Sequence, residues 1–474
     1  MSAPLKAANS EGGLYELLAR GNKDVFFYQD LPDSKFIFDN AYEAQAPFSY
    51  EIRKDPPSTS CEFGRTVEFP ITVVGDVMRN PTLLIQLPSW LPPQQQATNN
   101  TSLITDLSGY SYGYVNGIAF FLFERIPLFQ DNILLQEFSG DSLWAVAKTE
   151  GTYGHGWVTS KLHGEHNGSS LSIQHNATPG LLRLELPLIG TQGSNDCGFP
   201  QRAATSHTYK LRCKLRKLED LVESSQPLSQ CEKPVPWGKT FQQVLTKNGT
   251  PQSFNTLQRE NIPPLLLQLE TQQVYTTKEI QDALQSKQLQ VPFRRITENV
   301  FSQNKADYIS VIGGGTSTVN RRLDGRHPSG RVLFYFRSLD DIQANRWWKI
   351  GAGATEDPYY RSISLTIAGQ ARELPRTPLV WRDITNFAKE DLDTGIQLNT
   401  MNWTLGSVAP VRFPQSSLET PTGTVNFTTA DRPNLYIDLA NPQATTLATQ
   451  LYVIVEGWAV FQTVKGRAEL YNQN

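Results

Sequence analysis

The chain has 474 residues, 39% of them hydrophobic and 10% aromatic, with 43 basic and 46 acidic side chains and a net charge of −3. That length predicts two or three domains, and that apolar content excludes a disordered chain. The near balance of charge excludes a global attraction to nucleic acid or to an anionic membrane.

The N-terminal MSAPLKAANSEGG lacks the apolar stretch of a signal peptide, so the expectation is a protein made in the cytosol. GGLYELLAR (12–20) predicts a short helix. Strands follow at VEFPITVV (67–74), TLLIQL (82–87), IAFFLF (118–123) and LLRLEL (181–186), separated by turns such as GDVMRNP. Between the last two, KLHGEHNGSSLSIQH gathers His163, Glu165, His166 and His175. Their spacing fits neither HExxH nor an H-x-H metal pattern, and the small polar residues among them predict a solvated loop. KLRCKLRK (210–217) alternates, which predicts a strand with one solvated basic face. His207 is isolated in a strand pattern and predicts a structural role.

The stretch 218–264 mixes Ser, Gln, Pro and Asn and forms the natural boundary between two strand-rich halves. After it, Thr276-Thr277-Lys278-Glu279 has the form of a capping box, and Ile280, Ala283 and Leu284 follow at helical spacing; a helix is expected over about 277–286. Gly313-Gly314-Gly315 follows a strand-like run without the GK[ST] of a phosphate loop and predicts a tight turn. Strands return at VLFYF (332–336), SISLTI (362–367) and LYVIV (451–455). The most apolar segments are broken by Glu124 and Glu456 and are too short to span a bilayer. Cys61, Cys197, Cys213 and Cys231 form no CxxC pair and are expected as free thiols. There is no catalytic signature, and no cofactor or metal is expected.

Many short strands, frequent turns and few helices argue for sandwiches or barrels. Two kinds of protein fit: a structural subunit, or a carbohydrate-binding jelly roll that uses aromatics such as those in RWWKIGAGATEDPYYR and SGYSYGYVNG.

Several stretches, in order, resemble the major capsid proteins of nucleocytoplasmic large DNA viruses of iridovirus, phycodnavirus and marseillevirus type. They are GGLYELLARGNKDVFF; Phe63-Gly64-Arg65 with EFPITVVGDVMRNPTLLIQLP, which carries Gly75-Asp76; RIPLFQDNILLQEFSGDSLWAVAKTE; LRLELPL with TYKLRCKLRKLEDLVE; and LLLQLETQQVYTTKEIQ. His327-Pro328 with VLFYFR follows, then PTGTVNFTTADRPNLYI, with Pro421, Gly423, Asn426 and Phe427. The resemblance implies an all-β chain of two consecutive antiparallel eight-stranded jelly rolls, a double jelly roll with short helices in its connections. The expected domains are an N-terminal arm (1–24), a first roll (25–217), a connection (218–264) and a second roll (265–474). It further implies a homotrimer of pseudo-hexagonal outline that tiles an icosahedral shell over an internal membrane. Its partners would be neighbouring capsomers and minor capsid and penton proteins, with no direct contact to nucleic acid. A minor capsid or scaffolding paralogue is the alternative. The protein would assemble in the host cytoplasm and reside in the virion.

Asn426-Phe427-Thr428 spells a glycosylation sequon. The alternation places Val425 and Phe427 on a buried face, with the Asn426 amide bonded to a neighbouring strand or loop and carrying no glycan. Any glycan would be expected at Asn99, Asn100, Asn167 or Asn176 instead.

Overall fold

The computed structural model describes residues 48–88, 98–99, 102–103, 112–150, 161–176, 179–191, 198–224, 235–237, 240–242, 244–247, 250–253, 265–325, 328–353, 355–386, 396–403, 423–427, 433–442 and 448–471. The predicted helix at 12–20, His327, Pro421, Asn100, Cys197 and Cys231 lie outside them.

Eight strands build the first pair of sheets: β1 (Phe48–Asp55), β2 (Thr66–Ile71), β3 (Val77–Gln86), β4 (Phe123–Gln130), β5 (Ile133–Phe138), β6 (Leu182–Glu185), β7 (Tyr209–Leu215) and β8 (Leu266–Thr276). They pair in the orders β1-β8-β3-β6 and β2-β7-β4-β5, antiparallel throughout. A second set follows: β9 (Leu289–Gln303), β10 (Thr318–Arg322), β11 (Pro328–Ser338), β12 (Tyr360–Ile367), β13 (Gln370–Arg376), β14 (Asn399–Asn402), β15 (Asn434–Leu439) and β16 (Thr449–Val464). These pair as β9-β16-β11-β14 and β10-β15-β12-β13, the same order displaced by eight strands. Each set is a jelly roll: the first strand of each roll pairs with its last, so the chain closes each sandwich on itself.

The boundary falls elsewhere than expected. β8, assigned from sequence to the head of the second roll, is the closing strand of the first, with Leu269 opposite Leu83 and Gln273 opposite Met78. The stretch 218–264 is therefore an excursion between β7 and β8. Within it a 3-10 turn (Leu218–Asp220) and a strand (Val222–Ser224) fold back on Tyr112–Tyr114.

Two further predictions fail. IAFFLF forms a helical turn, α1 (Ile118–Phe121), before β4, with all four residues buried. The run before the three glycines is α5 (Lys305–Ile312), not a strand. A short apolar run buried on all sides, as IAFFLF is, carries no period to tell helix from strand; α5 instead buries only Tyr308 and Val311, three residues apart, and exposes Ile309 and Ile312. Gly314 adopts φ +82°, and Gly315 N–H donates to Ser310 C=O at 2.8 Å, which closes α5 in a left-handed turn. Further helices among the described residues include α2 (Gly140–Glu150), α3 (Ser170–His175), α4 (Lys278–Ser286) and α6 (Leu339–Gln343). α4 stands where expected, but its cap is Thr277 without a side-chain bond, because Thr276 is bonded to Asp76 instead.

β11 and β16 are buried on both faces. Val332, Phe334, Phe336, Leu451, Val453 and Val455 point into the second sandwich. Their neighbours Leu333, Tyr335, Tyr452 and Ile454 join the core of the first roll. This two-sided burial is why VLFYF and LYVIV read as continuous apolar runs and not as alternating ones.

Candidate functional site

The two rolls meet at a seam where the outer face of the β9-β16-β11-β14 sheet covers the flank of the first roll. The Trp144 ring of α2 stands edge-on to Tyr335 at 5.8 Å, and Phe199 lies 5.6 Å from Phe461. Polar contacts cross as well: Gln136 Nε2 donates to Arg294 C=O at 3.1 Å and Gln130 Nε2 to Ala468 C=O at 2.7 Å.

Buried charge lies at the centre. Asp141, in the first turn of α2, accepts Arg216 Nη2 at 2.7 Å and Arg337 Nη1 at 3.0 Å. Arg337 belongs to β11 of the other roll, is wholly buried, and has the Tyr452 ring 4.7 Å from its guanidinium. Burial alone would raise the Asp141 carboxyl, but the Arg337 and Arg216 guanidiniums outweigh it and hold it below the usual carboxylate range. α2 begins on Ser139 and Ser142, whose side chains accept each other's backbone N–H at 2.9 Å. Between them, a Cβ on Gly140 would lie 2.2 Å from Phe120 C=O, so no other residue fits. Farther along the seam, Glu456 of β16 pairs with Arg331 and Arg294.

The aromatics considered for sugar stacking are largely spent inside the chain. Tyr114, Tyr359 and Tyr360 are buried, and Trp347 Nε1–H donates to Asp220 C=O across the seam at 2.9 Å. The exposed apolar surface lies elsewhere: Phe48, Tyr50 and Ile52 alternate on one face of β1 and are 61%, 60% and 64% exposed.

The family-signature residues hold turns and strand ends and do not gather into one site. Gly64, at φ +78°, donates its N–H to Arg216 C=O at 3.0 Å, while half-buried Phe63 packs on the core and Arg65 pairs with Glu62 at 2.9 Å. Gly75 lies against β8, where a Cβ would come 3.0 Å from Val274 C=O. Asp76 accepts from Thr276 N, Thr276 Oγ1 and Gln281 Nε2 at 2.6, 2.8 and 3.2 Å, tying β3 to the end of β8 and to α4. Pro328 opens β11 opposite Asn426, and Ser329 faces Val425. Gly423 precedes this short strand and is half-buried. Phe427 is buried against Trp403, ring centroids 5.9 Å apart.

Val425 and Phe427 point inward as expected, and Asn426 stands on the opposite, exposed face of the short strand. Asn176, expected as an open glycan position, is corrected. It is buried, and its Nδ2 donates to the carbonyls of Tyr114, Val115 and Gly164 at 2.9, 3.3 and 3.1 Å. Asn167 is exposed, and its Oδ1 accepts from Ser169 N and Ser172 Oγ. Asn99 pairs with Ser102 in a two-residue hairpin.

The histidine stretch is not the solvated loop predicted. Ser170–His175 is helical, and His163 is buried with its ring 4.6 Å from Phe120. Burial lowers both His163 and His166 to about 4. Among the described residues, no group of three or more His, Cys, Asp or Glu is placed to hold a metal, and no helix is long and apolar enough to cross a membrane. Cys213 is buried and Cys61 half-buried, both free. His207 has the expected structural role, with Nδ1 2.8 Å from Asp131 Oδ2 in the turn between β4 and β5. The basic face of β7 is neutralised: Arg212 and Lys210 reach Glu68 at 2.9 and 3.2 Å, and Lys214 reaches Glu124 at 2.8 Å.

The seam charges escaped the sequence reading. Their signal was a charge ending or interrupting an apolar run, Arg337 after VLFYF and Glu456 after LYVIV; such a charge needs a partner from elsewhere in the fold.

No model of a known sequence family matches the chain, and no curated protein sequence does. Solved structures do. The capsid protein VP54 of the virus PBCV-1, fitted into a reconstruction of the virophage Sputnik, superposes with TM-score 0.66 at 13% identity over 93% of this chain and 100% of that one. The Faustovirus major capsid protein gives 0.56 at 12% identity, over 93% and 94%. A chain of the Sputnik virophage structure gives 0.51 at 9% identity, over 89% and 88%. The repeated strand order, the shared core at the seam and these full-length superpositions agree: this chain has the double jelly-roll fold of viral major capsid proteins.

Proposed function

We propose that this chain is the structural subunit of an icosahedral viral shell and acts by self-association, without catalysis. The observation that carries the reading is the fusion of two rolls of identical strand order through a buried, partly charged seam. A carbohydrate-binding module needs one sandwich and an open aromatic platform. Two rolls fixed side by side instead form a rigid tile, and three such tiles put six rolls in a ring of pseudo-hexagonal outline. The exposed stripe of Phe48, Tyr50 and Ile52 on β1, outermost in its sheet among the described residues, supports self-association, since exposed apolar patches mark interaction surfaces. The subunit would assemble in the host cytoplasm, over an internal membrane, beside minor capsid and penton proteins. The domain limits consistent with this reading are a first roll through Thr276 and a second from Leu289. A stained gel of purified virions tests it. As the main subunit, this chain is the dominant band; a trace band assigns it to a minor capsid or scaffolding role, and its absence refutes the reading.

A further inference from the structure

Glu223 lies where three pieces of chain meet. It is 1% exposed, on the strand Val222–Ser224. Its Oε2 accepts Asn116 N–H at 3.2 Å, and Trp348 Nε1–H is shared between its two oxygens at 3.2 Å each. Asn116 belongs to the first roll and Trp348 to the second. His166 closes the third side, with Nε2 3.6 Å from Oε2 and both side chains almost wholly buried. Gly168 N–H donates to His166 Nδ1 at 3.1 Å, so in the neutral ring the proton sits on Nε2 and faces the carboxylate. The histidine loop is itself clasped: Asn116 Nδ2 donates to His166 C=O at 2.7 Å, and His166 N–H donates to Asn116 Oδ1 at 2.9 Å. Gly168 packs on the Trp348 indole, where a Cβ would come within 3.3 Å.

The carboxylate is thus met by N–H dipoles. Besides His166, the charged groups facing it are Arg346 and Asp341 of the second roll; at longer range Arg346 attracts the negative charge and Asp341 repels it. Asp141 at the same seam has two guanidiniums; among the described residues, Glu223 has no lysine or arginine within ion-pair distance.

We propose that Glu223 is a proton-operated latch between the two rolls. Ionised, it is a buried charge held by shared N–H donors, with no cation in direct contact among the described residues. Protonated, it keeps an acceptor oxygen for the Trp348 N–H and removes that charge from the seam, so the rolls hold together more firmly. Burial pushes its carboxyl up to about 7, while burial lowers His166 to about 4, so Glu223 takes up its proton first as pH falls. The folded value lies above the unfolded one. The stabilisation is therefore fully present below the ordinary glutamate range and is lost as pH rises through about 7. The latch is a property of the chain itself and stands independently of the assembly reading.

The test uses the full chain labelled with 5-fluorotryptophan, with the Trp348 resonance identified by its loss in Trp348→Phe. The 19F shift of Trp348 is expected to titrate with a midpoint near 7. The titration should vanish in Glu223→Gln and survive in His166→Gln with its midpoint moved by less than about one pH unit. Between pH 6 and 8.5 the wild-type melting temperature should fall, and Glu223→Gln should flatten that decline. A Trp348 resonance that stays fixed between pH 5.5 and 8.5, or that titrates unchanged in Glu223→Gln, overturns the latch. If Glu223→Gln does not fold, the wild-type resonance alone decides.

Discussion

Gly140 shows how much a single position can fix. Its missing side chain lets the start of α2 approach the Phe120 and Phe123 carbonyls, at 2.2 and 2.5 Å from where a Cβ would stand. Gly140→Ala should destabilise by about 1–3 kcal/mol or more, as overpacking does, measured by denaturant unfolding. Next to it, Arg337→Met would strand Asp141 with a single guanidinium at a buried site. A loss of about 3–5 kcal/mol is expected, with much of it regained in Asp141→Asn/Arg337→Met; the same unfolding measurement on single and double variants checks this. Neither position was legible as a site, because a buried ion pair is defined by where distant residues meet and not by local spacing. Asn176 was misread for the same reason. Its Gly- and Ser-bearing surroundings look open, yet its amide holds three carbonyls. Glycopeptide mapping should find it unmodified while Asn167 remains available, and Asn176→Ala should cost about 1–3 kcal/mol by removing these buried amide hydrogen bonds.

At the scale of elements, the strands were legible wherever one face met solvent. β7 alternates along its length, and its basic face proved to be matched by Glu68 and Glu124. Where both faces are buried the period disappears: β11 and β16 read as continuous apolar runs, and the fully buried α1 reads as a strand. The helix after Thr277 was placed by its spacing, although its cap works differently from the motif. α5 carries the reciprocal box that α4 lacks: Asn304 N–H donates to Asp307 Oδ2 at 2.8 Å, and the Asn304 side chain accepts from the N3 backbone. Asn304→Ala should therefore cost about 1 kcal/mol, read from thermal unfolding. The closing strand β8 could not be assigned from sequence, since nothing local reveals that a strand after a long excursion returns to pair with β1 and β3.

At the scale of the molecule, both rolls draw on one core across the seam, so unfolding should be a single cooperative transition in calorimetry and not two. Its pH dependence follows from opposed groups. Glu223 and Glu298 are raised to about 7, the first by burial, the second by burial and the charge of Asp141. They favour the fold as pH falls from above 7 toward 4.5. His163 and His166, lowered to about 4 by burial, oppose the fold as pH falls from 6.5 toward 4. Stability should be nearly level between about 4.5 and 6.5 and decline on both sides, which melting temperatures across that range will show. The repetition of one strand order in both halves was not visible residue by residue; only the resemblance of ordered motifs pointed to it, because a sandwich constrains pattern far more than identity.

The claim that this tile exists to join copies of itself is tested most directly by light scattering of the purified protein at micromolar concentration. The predicted result is a stable species of about three times the 53.1 kDa chain mass, unchanged on dilution through the micromolar range. A well-folded monomer at every concentration, with no larger species, would contradict it.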